Sequence, residues 1–121
     1  MTGDAPPLKR YNTLTQFDFH HLLSQTPGIA VVYFTSAGCA SCRHWREVLQ
    51  QLLKRRLDIR VFEVDAAQDQ ALTREFEVFH LPALFVFRDG HYRGPLLCEA
   101  RTTLLDAAID AASALPPQDM P

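Results

Sequence analysis

No stretch of the sequence approaches the ~20 consecutive apolar residues of a membrane span, so nothing in it reads as a transmembrane helix. The segment from Met1 to Arg10 has no apolar h-region, so no secretory signal is recognised and a cytoplasmic location is expected. An excess of one charge is also missing. The formal net charge is −2, which implies neither a nucleic acid nor an anionic membrane as partner. The one basic run, Lys54-Arg55-Arg56, falls at the end of a predicted helix, where cations complement the dipole. Cysteine is scarce: three residues, an odd count, which argues against a structural disulfide framework. Internal repeats, low-complexity segments, a phosphate-binding loop and a nucleophile elbow are all absent.

What remains is a chain of 121 residues suited to one compact domain, with eight phenylalanines to fill its core. Residues 1–9 read as a flexible leader, 10–114 as the domain and 115–121 as a disordered tail. Tyr11 to Leu14 predicts a short edge strand. Thr15 is placed to cap a first helix with Phe17, His21 and Leu22 at helical spacing, and Pro27-Gly28 ends it. Ile29 to Thr35 is a continuous β-branched and aromatic run, the pattern of a strand buried on both faces. Trp45, Val48, Leu49 and Leu52 follow i, i+3, i+4, i+7 and predict a helix from Ala40 to about Leu57.

Ile59 to Val64 reads as a second apolar strand. Ala66 to Val78 reads as a helix with Ala71, Leu72 and Phe76 on one face. Ala83 to Phe87 and His91 to Cys98 form a hairpin around Asp89-Gly90, with Pro95 marking an edge or a bulge. Thr102 is placed to cap a last helix through Ala114, which Pro116-Pro117 stops. The order β-α-β-α-β-α-β-β-α implies an α/β fold: a central mixed β-sheet flanked by helices on both faces.

Cys39-Ala40-Ser41-Cys42 lies where the apolar strand turns into the amphipathic helix. Unpaired N–H groups and the dipole at a helix N-terminus favour a thiolate, and the thiolate is the form that attacks disulfides or binds metals. Cys42 falls on the buried stripe of the helix, and Cys39 lies nearer solvent at its first turn. The exposed thiol is expected to attack and the buried one to resolve the mixed disulfide.

With its flanks added, Val31-Val32-Tyr33-Phe34-Thr35-Ser36-Ala37-Gly38-Cys39-Ala40-Ser41-Cys42-Arg43 resembles the strand, CxxC and helix of the thioredoxin family. Further on, His80-Leu81-Pro82-Ala83-Leu84-Phe85-Val86-Phe87-Arg88-Asp89-Gly90 resembles that family's cis-proline loop, strand and turn. The resemblance spans residues 10–114 and implies a thioredoxin-like fold and a protein-disulfide oxidoreductase. Its catalytic residues would be Cys39 and Cys42, with no cofactor beyond their redox-active disulfide. By the same resemblance Pro82 matches the cis-proline against the disulfide, and Leu81 the residue whose backbone pairs with substrate. Gly38, Ala40, Leu81, Pro82 and Cys98 would form the substrate-binding surface. The partners implied are disulfide-containing proteins and a thioredoxin reductase as electron donor, met by a monomer.

The chain departs from the family in several places. Ala40-Ser41 replaces the usual Gly-Pro, Gly38 the usual tryptophan and Glu47 a helix-kinking proline. Tyr33 stands for a buried aspartate and Val61 is matched to the lysine that partners it, so the usual proton relay is missing. Two other readings stay open: a partner-binding module of this fold with weak catalysis, and a metal site of Cys39, Cys42, Cys98 and His80. Cys98 alone also reads as a third redox thiol or as an inert small hydrophobe.

Overall fold

The computed structural model describes residues 9–121. The leader predicted for residues 1–9 lies outside these but for Lys9, whose N–H donates to Asn12 Oδ1 at 3.1 Å.

In chain order the elements are β1 (Tyr11–Leu14), α1 (Phe19–Ser24), β2 (Ile29–Thr35), α2 (Ala40–Arg55), β3 (Ile59–Asp65), α3 (Gln70–Glu75), β4 (Ala83–Arg88), β5 (His91–Leu96) and α4 (Thr102–Ser113). The strands form one sheet in the order β1-β3-β2-β4-β5. β3 runs parallel to both β1 and β2, β4 antiparallel to β2, and β5 antiparallel to β4. The mixed sheet covered by helices on both faces, inferred from the order of elements, is therefore present.

β2 is the centre of the sheet and is buried from Ala30 to Thr35, which is why its sequence lacks polar alternation. Its two sides feed two cores. Val31 and Tyr33 pack with Leu49 and Leu52 of α2 and Leu105 and Ile109 of α4. Ala30, Val32 and Phe34 pack on the other side with Phe19 of α1, Leu72 of α3 and Phe76. The second core is largely aromatic: Phe76 lies 5.3 Å from Phe19 and 5.1 Å from Phe85, ring centre to ring centre. Each such buried ring or leucine contributes about 2 kcal/mol by removing apolar surface from water.

Several local expectations change. α1 starts at Phe19 rather than at a Thr15 cap, and its buried residues are Phe19 and Leu23, while Phe17 is 88% exposed. Thr15 instead closes a turn: its N–H donates to Asp18 Oδ1 at 2.7 Å, and its hydroxyl accepts from Phe17 N–H. The helix predicted over Ala66 to Val78 shrinks to α3. The Asp65 carboxylate accepts N–H bonds from Ala67 and Gln68 at its start, and Glu77 takes a positive φ of 53° at its end. Leu72 and Phe76 are buried as expected, but Ala71 is exposed.

α2 stops at Arg55, leaving Leu57 exposed. Thr102 does not cap α4; its hydroxyl donates to Gln51 Oε1 at 3.1 Å and ties α4 to α2. β5 ends at Leu96, short of Cys98. Pro95 lies on this edge strand, and a bulge falls beside it, where Val86 pairs with Gly94 but Phe87 with Tyr92. Within residues 115–121, read from the sequence as a disordered tail, Leu115 and Gln118 contact that strand. Gln118 N–H donates to the Tyr92 carbonyl at 2.8 Å and its side chain to that of Arg93 at 2.9 Å.

Candidate functional site

The end of β2 delivers the chain to the site. After Thr35 the loop turns so that Cys39 N–H donates to the Ser36 carbonyl at 3.3 Å. Cys39 is the N-cap of α2, extended at φ −95° and ψ 108°. Its sulfur accepts the Cys42 N–H at 3.1 Å, so one orphan donor of the helix terminus points at that sulfur. Cys39 and Cys42 are joined as a disulfide, their Cα atoms 5.2 Å apart. Cys42 is fully buried and Cys39 half-buried, the asymmetry expected from their places on the helix.

Cis-Pro82 arrives from the opposite direction. Ala83 at the start of β4 pairs with Phe34 near the end of β2, so the Leu81–Pro82 bond lies at the sheet end that carries the cysteines. That bond is cis, as the resemblance implied and as proline frequency alone would not suggest. Leu81, Cys98 and Cys39 all pack against the core that α2 covers. Gly38 and Ala40 are exposed on the two sides of Cys39. A side chain at Gly38 would meet no atom within 4 Å, so open space stands where the family's tryptophan would be.

Cys98 is half-buried, and burial pushes its thiol above the usual range, away from the reactive form. His80 is exposed. Among the described residues no three His, Cys, Asp or Glu side chains are grouped so as to hold a metal ion. The tetrahedral set of Cys39, Cys42, Cys98 and His80 is therefore not assembled.

The sequence reading missed two features here. The first is a cleft of about 260 Å³ beside Pro82, lined by Val78, Phe79, Leu84, Phe85, Pro95, Leu96 and Leu97. Phe79 and Leu97 on its rim are 85% and 88% exposed. Large apolar residues flanking the cis-proline were the available signal.

The second lies under α2. Tyr33, fully buried, donates its hydroxyl to the Cys42 carbonyl. The residue paired with Tyr33 on β3 is Glu63; Val61, matched from sequence to the charged partner, pairs with Val31. Glu63 Oε1 accepts from Tyr11 Oη at 2.5 Å and from Arg46 Nε at 3.0 Å. The positions matched to the relay carry no charge, and the acid beside them, Glu63, is paired with Arg46 of α2. Burial pushes the Tyr33 hydroxyl up from the ordinary tyrosine range, so it acts as a neutral donor.

A family model described as Thioredoxin matches residues 10–111. Thioredoxin H3 of Arabidopsis thaliana is 24% identical over 82 residues, covering 68% of this chain and 70% of that protein. The probable protein disulfide-isomerase ER-60 of Schistosoma mansoni is 30% identical over 90 residues, covering 68% of this chain but only 18% of that larger protein. Among solved structures, oxidised mitochondrial thioredoxin 3 from Saccharomyces cerevisiae superposes with a TM-score of 0.72 at 24% identity, over 84% of this chain and 94% of that one. That last likeness speaks to the fold; the residues 10–111 matched by the family model include both the cysteine pair and the cis-proline. The chain belongs to the thioredoxin family, and its Cys39–Cys42 pair is that of a thiol–disulfide oxidoreductase.

Proposed function

We propose that the protein reduces disulfides in other proteins, with Cys39 as nucleophile and Cys42 as resolving thiol. The observation that carries this reading is the asymmetry of the pair. Cys39 caps α2 within reach of solvent and of the helix-terminal N–H, and Cys42 is sealed behind it. In the reduced protein the Cys39 thiolate attacks one sulfur of the substrate disulfide; the other leaves as a thiolate and takes up a proton. Cys42 then gives its proton to water and attacks Cys39. The Cys39–Cys42 bond forms, the Cys39–substrate bond breaks, and the second substrate sulfur leaves with the bonding pair and is protonated.

An electron donor resets the disulfide, and a flavin-dependent thioredoxin reductase fits the family. We place Gly38, Ala40, Leu81, Pro82 and Cys98 in the surface that holds an extended substrate peptide, and the work in the cytoplasm, by a monomer. No further cofactor, nucleic acid or membrane enters the reaction as proposed. The exposed Phe79 and Leu97 favour a second reading, a module that chiefly captures partners and turns over slowly.

The test is insulin reduction together with trapping. Cys39→Ser is expected to abolish disulfide reduction. Cys42→Ser is expected to accumulate a mixed disulfide on Cys39 that mass spectrometry identifies. Intact reduction by Cys39→Ser would refute the mechanism, and slow reduction with tight, thiol-independent capture would favour the binding module.

A further inference from the structure

Antiparallel pairing decides where the chain goes after β5. Leu96, the last residue of β5, pairs with Leu84, two residues past cis-Pro82, so the connection to α4 emerges at the sheet end that carries the cysteines. This connection, residues 97–101, holds no helix or strand. Its one internal backbone bond is a small turn, in which Arg101 N–H donates to the Glu99 carbonyl at 2.8 Å. The ion pair of Glu99 with Arg101 adds little, because both side chains are exposed. Cys98 and Ala100 are half-buried against the core that α2 covers, and Leu97 stands exposed on the cleft that Pro82 also lines.

One polar tie joins this loop to the helix of the cysteines. His44 lies two residues after Cys42 on α2, and its Nε2 is 3.1 Å from the Ala100 carbonyl. A carbonyl only accepts, so Nε2 carries the proton of this bond; the neutral ring in that tautomer and the imidazolium both keep it. Among the described residues it is the only hydrogen bond from residues 97–100 to another element. Beyond the loop, the Thr102 hydroxyl donates to Gln51 Oε1 at 3.1 Å, so α4 has its own tie to α2 and does not depend on His44.

We propose that His44 is a positioning residue: it clips the loop of residues 97–101 to α2 and so fixes the Leu97–Cys98 side of the surface that receives the substrate chain. The proposal rests on the disulfide-reductase reading, which places Cys98 in that surface. His44 acts through the loop and takes no part in disulfide exchange itself. Without the clip, residues 97–100 have to be ordered as the substrate chain binds, and the cost of ordering them comes off the affinity. A small disulfide that reaches only Cys39 makes no use of the loop and escapes that cost.

The test compares the full-length wild type with His44→Phe, which keeps a ring and removes the donor, and with His44→Gln, which keeps an N–H donor. Hydrogen exchange by mass spectrometry reads the order of residues 97–101. Single-turnover oxidation of the reduced proteins, by insulin and by the small disulfide dithiobis(nitrobenzoate), reads the use made of that order. His44→Phe is expected to speed exchange in residues 97–101 by about two- to tenfold, and to lower the ratio of the insulin rate constant to the small-disulfide one by a similar factor. His44→Gln should restore both, which mere filling of space by the imidazole would not require. Unchanged exchange in His44→Phe, faster exchange with an unchanged ratio, or a His44→Gln protein that behaves like His44→Phe would overturn the proposal, and insulin reduction by the wild type would then leave the function reading standing. A wild type that reduces neither disulfide would overturn both.

Discussion

Tyr33 shows how a single substitution reorganises a buried site. An unpaired buried charge is costly, whereas a phenol needs only one partner, and the Cys42 carbonyl supplies it at the first turn of α2. The hydroxyl thereby ties β2 to the backbone of Cys42. Tyr33→Phe keeps the ring's shape and removes that bond, so it should lower stability by about 1 kcal/mol in urea unfolding while disulfide exchange persists. Loss of exchange in a stable Tyr33→Phe protein would instead make the hydroxyl part of the chemistry. Cys98 is the contrasting residue. It packs against the same core as Cys39, and burial pushes its thiol up, away from the reactive form.

At the level of elements, the hairpin joining β4 and β5 depends on one glycine. Asp89 and Gly90 both have positive φ, 52° and 81°, as a two-residue turn matched to strand twist requires. The turn is also docked: a Cβ at Gly90 would come within 3.0 Å of the Ser24 carbonyl at the end of α1. Gly90→Ala therefore meets both backbone strain and a backbone neighbour that cannot swing away. It should cost roughly 1–3 kcal/mol in chemical denaturation, and wild-type stability would contradict this account of the turn. This turn was legible in the sequence, as were β2 and α2, because each carries its own local signal: a dipeptide, an unbroken apolar run, a helical stripe. α1 and α3 were misread for the opposite reason. Each is 6 residues long, too short for its period to declare itself, and Phe19 and Phe76 are set by the aromatic core they enter. The partnership of Tyr33 with Glu63 was hidden too. Strand register is a tertiary property, and neighbouring odd-numbered residues of β3 face the same side, so the sequence could not choose between Val61 and Glu63.

For the whole molecule, one sheet end collects what the chemistry uses. β2 leads into Cys39, β4 begins just after cis-Pro82, and β5 runs out toward Cys98, so three strands deliver their loops to one place. The two cores beneath, one aliphatic under α2 and α4 and one aromatic under α1 and α3, hold those strands in fixed register. On this scaffold Cys39 and Cys42 are expected to form a reversible two-electron couple. The most direct measurement is a redox titration of the full-length protein in glutathione buffers, with alkylation and peptide mass spectrometry at each cysteine. Cys39 and Cys42 should oxidise together along a single two-electron curve while Cys98 stays alkylatable throughout. Independent oxidation of the two, or capture of either by Cys98, would contradict it.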